Sequence, residues 1–202
     1  IAETILRNTL QNLGVKFQEV KNEAAFYGPK VDIQFKSVVG REETMSTIQL
    51  DFAAKTRFDL TYHDKTGKEN NEVFVIHRAP LSTHERFIAI LLEHYAGAFP
   101  TWLSPVQVQI LGVSEKHDGY TKEVLEILVS HGVRAKTSEA NETLGKRIRE
   151  AELEKIPYIV VLGDKEVQSK SVNVRRRGEK NTETSSLNKF IEHITKEIRE
   201  RK

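Results

Sequence analysis

Alternating apolar and polar residues dominate the first half of the chain and predict a sheet. The predicted strands cover 15–20, 31–35, 44–52, 57–62 and 73–76. In the third of these, Thr47, Gln49 and Asp51 alternate with apolar residues, so the three polar side chains share one face of the sheet. Helical spacing of apolar residues then runs from 87 to 95. Strands joined by turns and followed by a helix indicate an antiparallel sheet packed by helices.

The pattern changes after residues 100–105, where Pro100 and Pro105 interrupt the periodicity and mark a connector. Beyond it, strands and helices alternate, which is typical of an α/β layer with a mostly parallel sheet. The predicted order is strand 106–113, helix 120–131, strand 133–137, helix 143–154, strand 158–162, strand 172–175 and helix 187–198. The sequence therefore predicts two domains, 1–103 and 104–202.

The composition is that of an ordinary globular protein and narrows the function little further. With 38% hydrophobic and 30% charged residues, the chain has enough apolar residues for a core. Residues 1–100 carry 12 Lys and Arg against 13 Asp and Glu, and residues 101–202 carry 19 against 16, so a mild basic excess lies in the second half. The absence of cysteine excludes disulfides and thiolate metal sites within the chain, as expected for a reducing cytoplasm.

The start of the chain predicts neither export nor membrane insertion. No apolar run approaches the roughly 20 residues that span a bilayer, and IAETILRN lacks the basic region and cleavage pattern of a signal peptide. The chain has no initiator Met and begins inside a helix-like pattern. We therefore expect a cytoplasmic fragment of a longer polypeptide.

Candidate chemistry gathers at the strand-to-helix junction 73–87. His77 lies where the apolar strand ends, Pro80 cannot continue a central strand, and Thr83 is an N-cap signal for a helix that carries Arg86 in its first turn. We expect His77 and Arg86 to face a common cavity, where side chains on rigid elements could hold a nucleotide or a metal ion. The structural alternative is a satisfied histidine at a strand end and an ion pair between Arg86 and a neighbouring carboxylate.

Several motifs resemble a known family. The letters HRA, five residues and then ERF are similar to motif 3 of the class II aminoacyl-tRNA synthetases, and His77 directly before Arg78-Ala79 points to the threonyl-tRNA synthetase family. The resemblance extends in order from about Ala25 to the C-terminus. Its other motifs are FYGPK at 26–30, TIQLDF at 47–52 and FPTWLSPVQV at 99–108.

The resemblance implies an architecture and an activity. Residues 1–103 would be the later part of the catalytic domain, built on an antiparallel sheet, and residues 104–202 a mixed-sheet α/β anticodon-binding domain. The complete enzyme would activate threonine with ATP and Mg²⁺ and pass it to tRNA(Thr). The same resemblance implies a homodimer and no membrane partner. We expect the 202 residues alone not to adenylate.

The resemblance also assigns site residues. It implies that Arg86 and Lys30 contact ATP, and a planar guanidinium in the first turn of a helix suits phosphate for its own chemical reasons. The residues that would border the substrates are Tyr27, Lys30, Thr47, Gln49, Thr83 and Arg86. An exposed turn lysine is the ordinary structural interpretation of Lys30.

His77 is implied to be one of three protein ligands of a zinc ion, Zn²⁺, which in the family takes the amino group and hydroxyl of threonine. The other two ligands, a Cys and a His, lie far upstream in the family. A tight site needs three or four protein ligands, so His77 alone cannot hold zinc tightly.

In the second half, Asn141, Glu166 and Arg175 are implied to contact anticodon bases. Arginine can pair with guanine and a carboxylate can accept from a base amino group, and RNA readers use splayed single-stranded bases. Each residue also has a structural interpretation: Asn141 as a helix N-cap, Glu166 as an exposed turn residue, and Arg175 as part of a solvated basic face with Lys146, Arg147 and Arg149.

Three positions depart from the family pattern. Thr44 and Met45 stand where the family often has Gln-Cys, and Ser82 stands where many members have Gly. Two other classes stay open: a non-catalytic tRNA-binding paralogue, and an α/β module that mediates subunit contact without RNA.

Overall fold

The computed structural model describes all 202 residues, and they form two compact units, Ile1–His94 and Tyr95–Lys202. The predicted connector therefore packs with the second unit, and the division falls before the boundary at 103 and 104 that the sequence suggested. None of the helices combines the length and hydrophobicity that crossing a bilayer requires.

The first unit is built on an antiparallel three-stranded sheet. Its strands are β1 (Lys30–Lys36), β2 (Glu42–Asp51), β3 (Tyr62–His63), β4 (Glu69–Asn70) and β5 (Val75–Ala79). Its helices are α1 (Ala2–Asn12), α2 (Ala53–Arg57) and α3 (His84–Tyr95). The sheet order is β1-β2-β5, and β3 and β4 form a separate hairpin. Strand β2 is therefore central, and both of its neighbours fix its register.

The Gly28-Pro29 turn packs directly against β2 and continues the backbone hydrogen bonding between β1 and β2. The backbone N–H of Leu50 donates to the Pro29 carbonyl at 3.0 Å, and that of Phe52 donates to the Tyr27 carbonyl at 2.9 Å. Gly28 has φ +156°, and a Cβ there would lie 2.0 Å from the Leu50 carbonyl oxygen. Only glycine lets the two backbones approach this closely, and that approach places Tyr27 beside β2.

The second unit is a five-stranded mixed sheet between helices. Its strands are β6 (Val108–Gly112), β7 (Ala135–Thr137), β8 (Tyr158–Leu162), β9 (Ser171–Arg176) and β10 (Thr182–Ser186). Its helices are α4 (Asp118–Ser130), α5 (Leu144–Leu153), α6 (Asp164–Ser169) and α7 (Leu187–Arg199). The order is β10-β9-β8-β6-β7, with β7, β6 and β8 parallel and β9 and β10 antiparallel.

Alternate residues of β6 and β8 face two separate cores. Val160 and its even-numbered neighbours pack with residues of α4 and α7, and Val160 is fully buried. Ile159 packs with Leu111 and Ala151 on the α5 side. A strand that is buried on both faces reads as a continuous apolar run, which is why β8 was predicted with its observed bounds.

The connector is held to the second unit by polar contacts. The Thr101 hydroxyl donates to Glu197 Oε1 at 2.5 Å, and Gln107 Nε2 donates to the Thr101 carbonyl at 2.9 Å. Glu197 is buried and also accepts from the Tyr158 hydroxyl at 2.5 Å. Burial and this adjacent carboxylate raise the pKa of Tyr158. The interrupted periodicity of the connector thus marks a segment ordered by side-chain hydrogen bonds.

Three sequence-based expectations about elements were wrong, and one strand was missed. Residues 15–20 form no strand, because their alternation meets no partner strand, and most of 57–62 is a helix end and turn. A turn was expected at 163–166, but Gly163 instead caps the short helix α6, which covers 164–169. Strand β10 was missed because its sequence TETSS is polar on both faces, as suits an edge strand.

We predict that Gly28→Ala destabilises the first unit. The new Cβ cannot coexist with the Leu50 carbonyl, so the opening free energy of the β2 amides should fall by about 1–3 kcal/mol, measured by hydrogen exchange. Gly67→Ala is the matched control, because Gly67 also has positive φ but a Cβ there would meet no atom within 4 Å. Equal losses in the two variants would contradict the close-approach explanation.

Candidate functional site

The register of β2 brings the predicted substrate residues of the first unit onto one face. Gln49 is opposite Lys30 of β1 and His77 of β5, and Thr47 is opposite Asp32 of β1. Directly opposed residues point to the same side of an antiparallel sheet. The Gly-Pro turn adds Tyr27 to this face, which we call the polar face.

The polar face carries a directional chain of hydrogen bonds. The Tyr27 hydroxyl donates to Gln49 Oε1, Gln49 Nε2 donates to Thr47 Oγ1 at 3.3 Å, and the Thr47 hydroxyl donates to Asp32 Oδ1 at 2.7 Å. Lys30 Nζ pairs with Asp32 Oδ2 at 2.6 Å. Every donor in the chain therefore points toward Asp32. Because the hydrogen of Tyr27 is already donated, its oxygen can only accept from a ligand, which suits an ammonium group.

Asp32 and Lys30 stabilise each other's charged forms. The hydrogen bond from Lys30 to Asp32 raises the pKa of Lys30. Burial opposes ionisation of Asp32, but the hydrogen bonds from Lys30 and Thr47 outweigh it and lower the pKa of the carboxyl. Both groups are half-buried. The polar face therefore holds a charged pair, with the ammonium at the end nearest the Gly-Pro turn.

His77 is fixed by the carboxylate that ends β2. Its Nε2 lies 2.9 Å from Asp51 Oδ2, and its ring meets the Tyr27 ring edge-on with centroids 5.8 Å apart. Asp51 is 8% exposed, whereas the His77 side chain is about half exposed. No group of three or more His, Cys, Asp or Glu side chains in residues 1–202 could hold a metal ion. The other ring nitrogen of His77, Nδ1, makes no hydrogen bond in the structure.

Arg86 lies apart from this hydrogen-bonded cluster. Its side chain is exposed and forms no ion pair, so the expected alternative of a salt bridge to Glu85 is not formed. Thr83 precedes α3, and its hydroxyl oxygen accepts from the Arg86 backbone N–H at 3.3 Å, as the N-cap signal predicted. The guanidinium is thus unneutralised in the first turn of α3. Ser82 has φ +57°, a conformation that favours glycine, so the departure from the family pattern at this position comes at a cost of strain.

Sequence reasoning missed Asp32 as a site residue and did not connect Asp51 to His77. Asp32 follows Lys30 by two residues in a strand, so the two-residue period could have placed it on the polar face. Asp51 was assigned to the correct face. Its partner depends on the pairing of β2 with β5, which no local pattern specifies.

In the second unit, two of the predicted RNA-contacting residues follow the carboxyl ends of parallel strands, which lie at the same end of the sheet. Asn141 follows β7 and is exposed, and Glu166 lies in α6 just after β8. The helix cap next to Asn141 is Thr143, whose hydroxyl oxygen accepts from the Lys146 backbone N–H at 3.3 Å. Asn141 therefore has no capping role. Glu166 is half-buried, and its Oε2 accepts from the Gly163 backbone N–H at 2.9 Å, which leaves Oε1 for another donor.

Arg175 lies further from that edge. It is opposite Ile159, near the start of β8. Leu162, the last residue of β8, is three residues further on, so Arg175 lies roughly 10 Å from the carboxyl end of the strand at about 3.3 Å per residue. Its side chain pairs with Glu152 of α5 at 3.2 Å, both being partly exposed. The three predicted residues are therefore spread over the sheet and do not contact one another.

Other arginines of the second unit have structural roles that Arg175 does not share. Arg147, expected on a basic helix face, is instead 4% exposed and donates to the Gly112 carbonyl at 2.7 Å. Arg177 donates to the carbonyls of Lys155 at 2.5 Å and Phe99 at 2.6 Å. Burial and neighbouring Arg176 lower the pKa of Arg177. A run of arginines in the sequence can therefore contain residues that stabilise the fold beside residues whose charge is available to a ligand.

Two family models together match nearly the whole chain. The tRNA synthetase class II core domain (G, H, P, S and T) matches residues 2–95, and the anticodon binding domain matches residues 107–197. These matches correspond closely to the two units described above.

Curated relatives match the chain over nearly its whole length. The threonine–tRNA ligase of Halalkalibacterium halodurans is 48% identical over 98% of this chain and 31% of its own length. That of Geobacillus sp. (strain WCH70) is 49% identical over the same shares. The chain thus spans about a third of the length of these curated relatives.

Solved structures agree in fold. The RNA binding domain of threonyl-tRNA synthetase from Cryptosporidium parvum Iowa II is similar over 96% of this chain and 49% of its own, with 35% identity and a TM-score of 0.82. The putative threonyl-tRNA synthetase ThrRS-1 from Aeropyrum pernix covers 98% of this chain and 49% of its own, with 28% identity and a TM-score of 0.69. A prolyl-tRNA synthetase at 20% identity, with a TM-score of 0.68, shares the fold.

The two family matches, a class II synthetase core followed by an anticodon-binding domain, give the class: the chain belongs to the class II aminoacyl-tRNA synthetases. Within that class, its relatives at 48–49% identity place it in the threonyl-tRNA synthetase family.

We predict that the arginines of β9 and its turn differ sharply in their effect on stability. Arg177→Ala removes charge-assisted bonds to backbone carbonyls and should cost about 1.5–3 kcal/mol of unfolding free energy. Arg175→Ala removes one partly exposed ion pair and should cost at most about 1 kcal/mol. Urea unfolding followed by the fluorescence of Trp102, the single tryptophan, reports on the second unit. The reverse order of the two losses would contradict these assignments.

Proposed function

We propose that the complete protein carrying this chain is a threonine–tRNA ligase, which activates threonine with ATP and Mg²⁺ and transfers it to tRNA(Thr). In this proposal residues 1–103 supply the last part of the catalytic domain and residues 104–202 the anticodon-binding domain. The observation that carries the proposal is the convergence of Tyr27, Lys30, Thr47, Gln49 and His77 on the polar face. A cytoplasmic homodimer is part of the same proposal.

The polar face suits the recognition of an amino acid. The Tyr27 oxygen is available as an acceptor for an N–H of the threonine amino group, because its own hydrogen is donated to Gln49. Gln49 and Thr47 hold each other in one orientation through their hydrogen bond, so their positions are set before a ligand arrives. Preorganised polar groups lose little conformational freedom on binding.

The adenylation step needs positively charged groups beside the nucleotide, and it needs no nucleophile from the protein. The threonine carboxylate attacks the α-phosphate of ATP, the bond to pyrophosphate breaks, and negative charge spreads over the phosphate oxygens. Arg86 offers an unneutralised guanidinium for those oxygens, and Lys30 offers an ammonium held by Asp32. In this proposal the Thr83 hydroxyl faces the same substrates. Catalysis then consists of positioning and charge stabilisation.

His77 would be one protein ligand of a zinc ion. A bound zinc ion would take the amino group and hydroxyl of threonine and so exclude valine. By the family resemblance, the second and third protein ligands are a Cys and a His that lie far upstream of residues 1–202. His77 fits this role because its ring is half exposed and carries one nitrogen without a protein partner.

In the second domain we assign anticodon contact to Asn141, Glu166 and Arg175. Asn141 is exposed, Glu166 has one free carboxylate oxygen, and Arg175 is held by a partly exposed ion pair that binding can exchange. Their separation on the sheet suits contacts to different bases of a splayed loop.

A non-catalytic tRNA-binding paralogue is the second candidate, and two observations favour it. Ser82 retains a strained positive φ where the family often has glycine. The Thr44 hydroxyl is bonded to Gln34 across the sheet at 3.0 Å, at a position where a substrate-contacting glutamine is common in the family. An interaction module without RNA has no such support.

The catalytic proposal predicts threonine-dependent ATP–pyrophosphate exchange by the complete gene product. Arg86→Ala should lower kcat/KM about 10²–10³-fold, the typical loss when one charge-stabilising donor is removed. Arg41→Ala is the control, because Arg41 is an exposed residue of the β1–β2 turn. The 202 residues alone should show no exchange. An inactive complete gene product that binds tRNA tightly would replace this proposal by the paralogue.

The RNA proposal predicts that the 202-residue chain binds a tRNA(Thr) anticodon stem–loop. Arg175→Ala should weaken binding by about 5- to 150-fold, since a specific base contact contributes about 1–3 kcal/mol. Arg199→Ala on α7 is the matched control and should change affinity less than about twofold. Fluorescence anisotropy at a fixed salt concentration gives both values. Equal losses of affinity in the two variants would contradict a specific contact by Arg175 and would indicate general electrostatic attraction.

A further inference from the structure

The carboxylate of Asp51 is held more rigidly than a single hydrogen bond to histidine requires. Its Oδ1 accepts from the backbone N–H groups of Ala53 at 2.8 Å and Ala54 at 2.9 Å, at the start of α2. Its Oδ2 lies 2.9 Å from His77 Nε2. Asp51 is also buried. The backbone therefore fixes which oxygen faces the imidazole.

An ionised carboxylate can only accept hydrogen bonds. The two backbone N–H groups that donate to Oδ1 stabilise this ionised form. His77 Nε2 must then carry the hydrogen. In neutral His77 the lone pair that can bind a ligand is left on Nδ1, which makes no hydrogen bond in the structure.

We propose that Asp51 is a positioning residue that holds neutral His77 as its Nε2–H tautomer and so presents Nδ1 as the single electron-pair donor to what this site binds. The tautomer follows from the contacts of Asp51 alone. Its consequence, that a divalent cation such as zinc would be bound through Nδ1, rests on the proposed function. Ligating histidines commonly have such a carboxylate behind them, and losing it typically lowers metal affinity about 10–100-fold.

Asparagine at this position provides a sharp test, because it should reverse the tautomer instead of merely loosening the ring. The two backbone N–H groups require an acceptor, so the amide oxygen of the substituted side chain must take the place of Oδ1. Its NH₂ group then faces His77 and donates to Nε2, which moves the hydrogen to Nδ1. Asp51→Asn keeps size and backbone bonds, whereas Asp51→Ala removes all three contacts.

The tautomer is measured on the 202-residue chain labelled with ¹⁵N-histidine, under mildly alkaline conditions where imidazoles are neutral. Long-range ¹H–¹⁵N correlation distinguishes the protonated from the unprotonated ring nitrogen, and His77→Gln assigns the signals. We expect Nε2–H in the wild-type chain and Nδ1–H in Asp51→Asn. Asp64→Asn is the matched control, because Asp64 also accepts from two backbone N–H groups, in the 64–68 turn. It should leave His77 unchanged.

An Nδ1–H form in the wild-type chain, or an unchanged tautomer in Asp51→Asn, would overturn the proposal. Zinc retention by the complete gene product, measured by metal analysis after dialysis against a chelator, tests the consequence. We expect Asp51→Asn to weaken retention by about 10-fold or more, with Asp64→Asn unaffected. Unchanged retention despite the reversed tautomer would overturn the link to the metal. A wild-type gene product without zinc would instead defeat the proposed zinc role of His77 and leave the tautomer result standing.

Discussion

Gln49 lies in the middle of the core sheet and is paired on both sides, with Lys30 of one neighbouring strand and with His77 of the other. This double pairing fixes the register of β2. Side chains alternate between faces with a period of two, so a slip by one residue would move every polar group to the opposite face. The substrate chemistry proposed for this protein depends on that register more than on any single contact.

The register has a second consequence, which is the direction of the hydrogen bonds. Once Thr47 and Asp32 are neighbours, the donors on the polar face point toward the carboxylate, and Tyr27 is left with an acceptor only. The end of the same strand places Asp51 behind His77. The donor or acceptor character of Tyr27 and of His77 is thereby determined by the neighbouring side chain to which each is bonded.

The arginines of the second unit have two different roles: some stabilise the fold, and others have a charge that a binding partner could use. Arg147 and Arg177 donate to backbone carbonyls, so their charges satisfy the protein itself. Arg175 has only a partly exposed carboxylate partner, and such pairs are exchanged at little cost. A basic run in a sequence therefore says little about binding until each guanidinium is placed.

Much of this arrangement was predictable from the sequence, and the failures have physical causes. The apolar run of β8 and the alternation in β2 specify their own elements, and the Ser-Thr cap specifies the start of α3. Strand β10 was missed because an edge strand needs no apolar face.

Longer-range features were beyond local patterns. The partner of Asp51 depends on pairing between strands more than twenty residues apart, and the burial of Arg147 depends on a carbonyl of β6. The resemblance to a family supplied the candidate site residues, but not the contacts that set their chemistry.

The central claim is that the polar face of the β1-β2-β5 sheet receives the amino acid. A crystal structure of the complete gene product with a non-hydrolysable threonyl-adenylate analogue tests it most directly. We expect the threonyl group to lie against Tyr27, Gln49 and His77, with the phosphate toward Arg86. An analogue bound on the opposite face, beside Ile48 and Ile76, would contradict it.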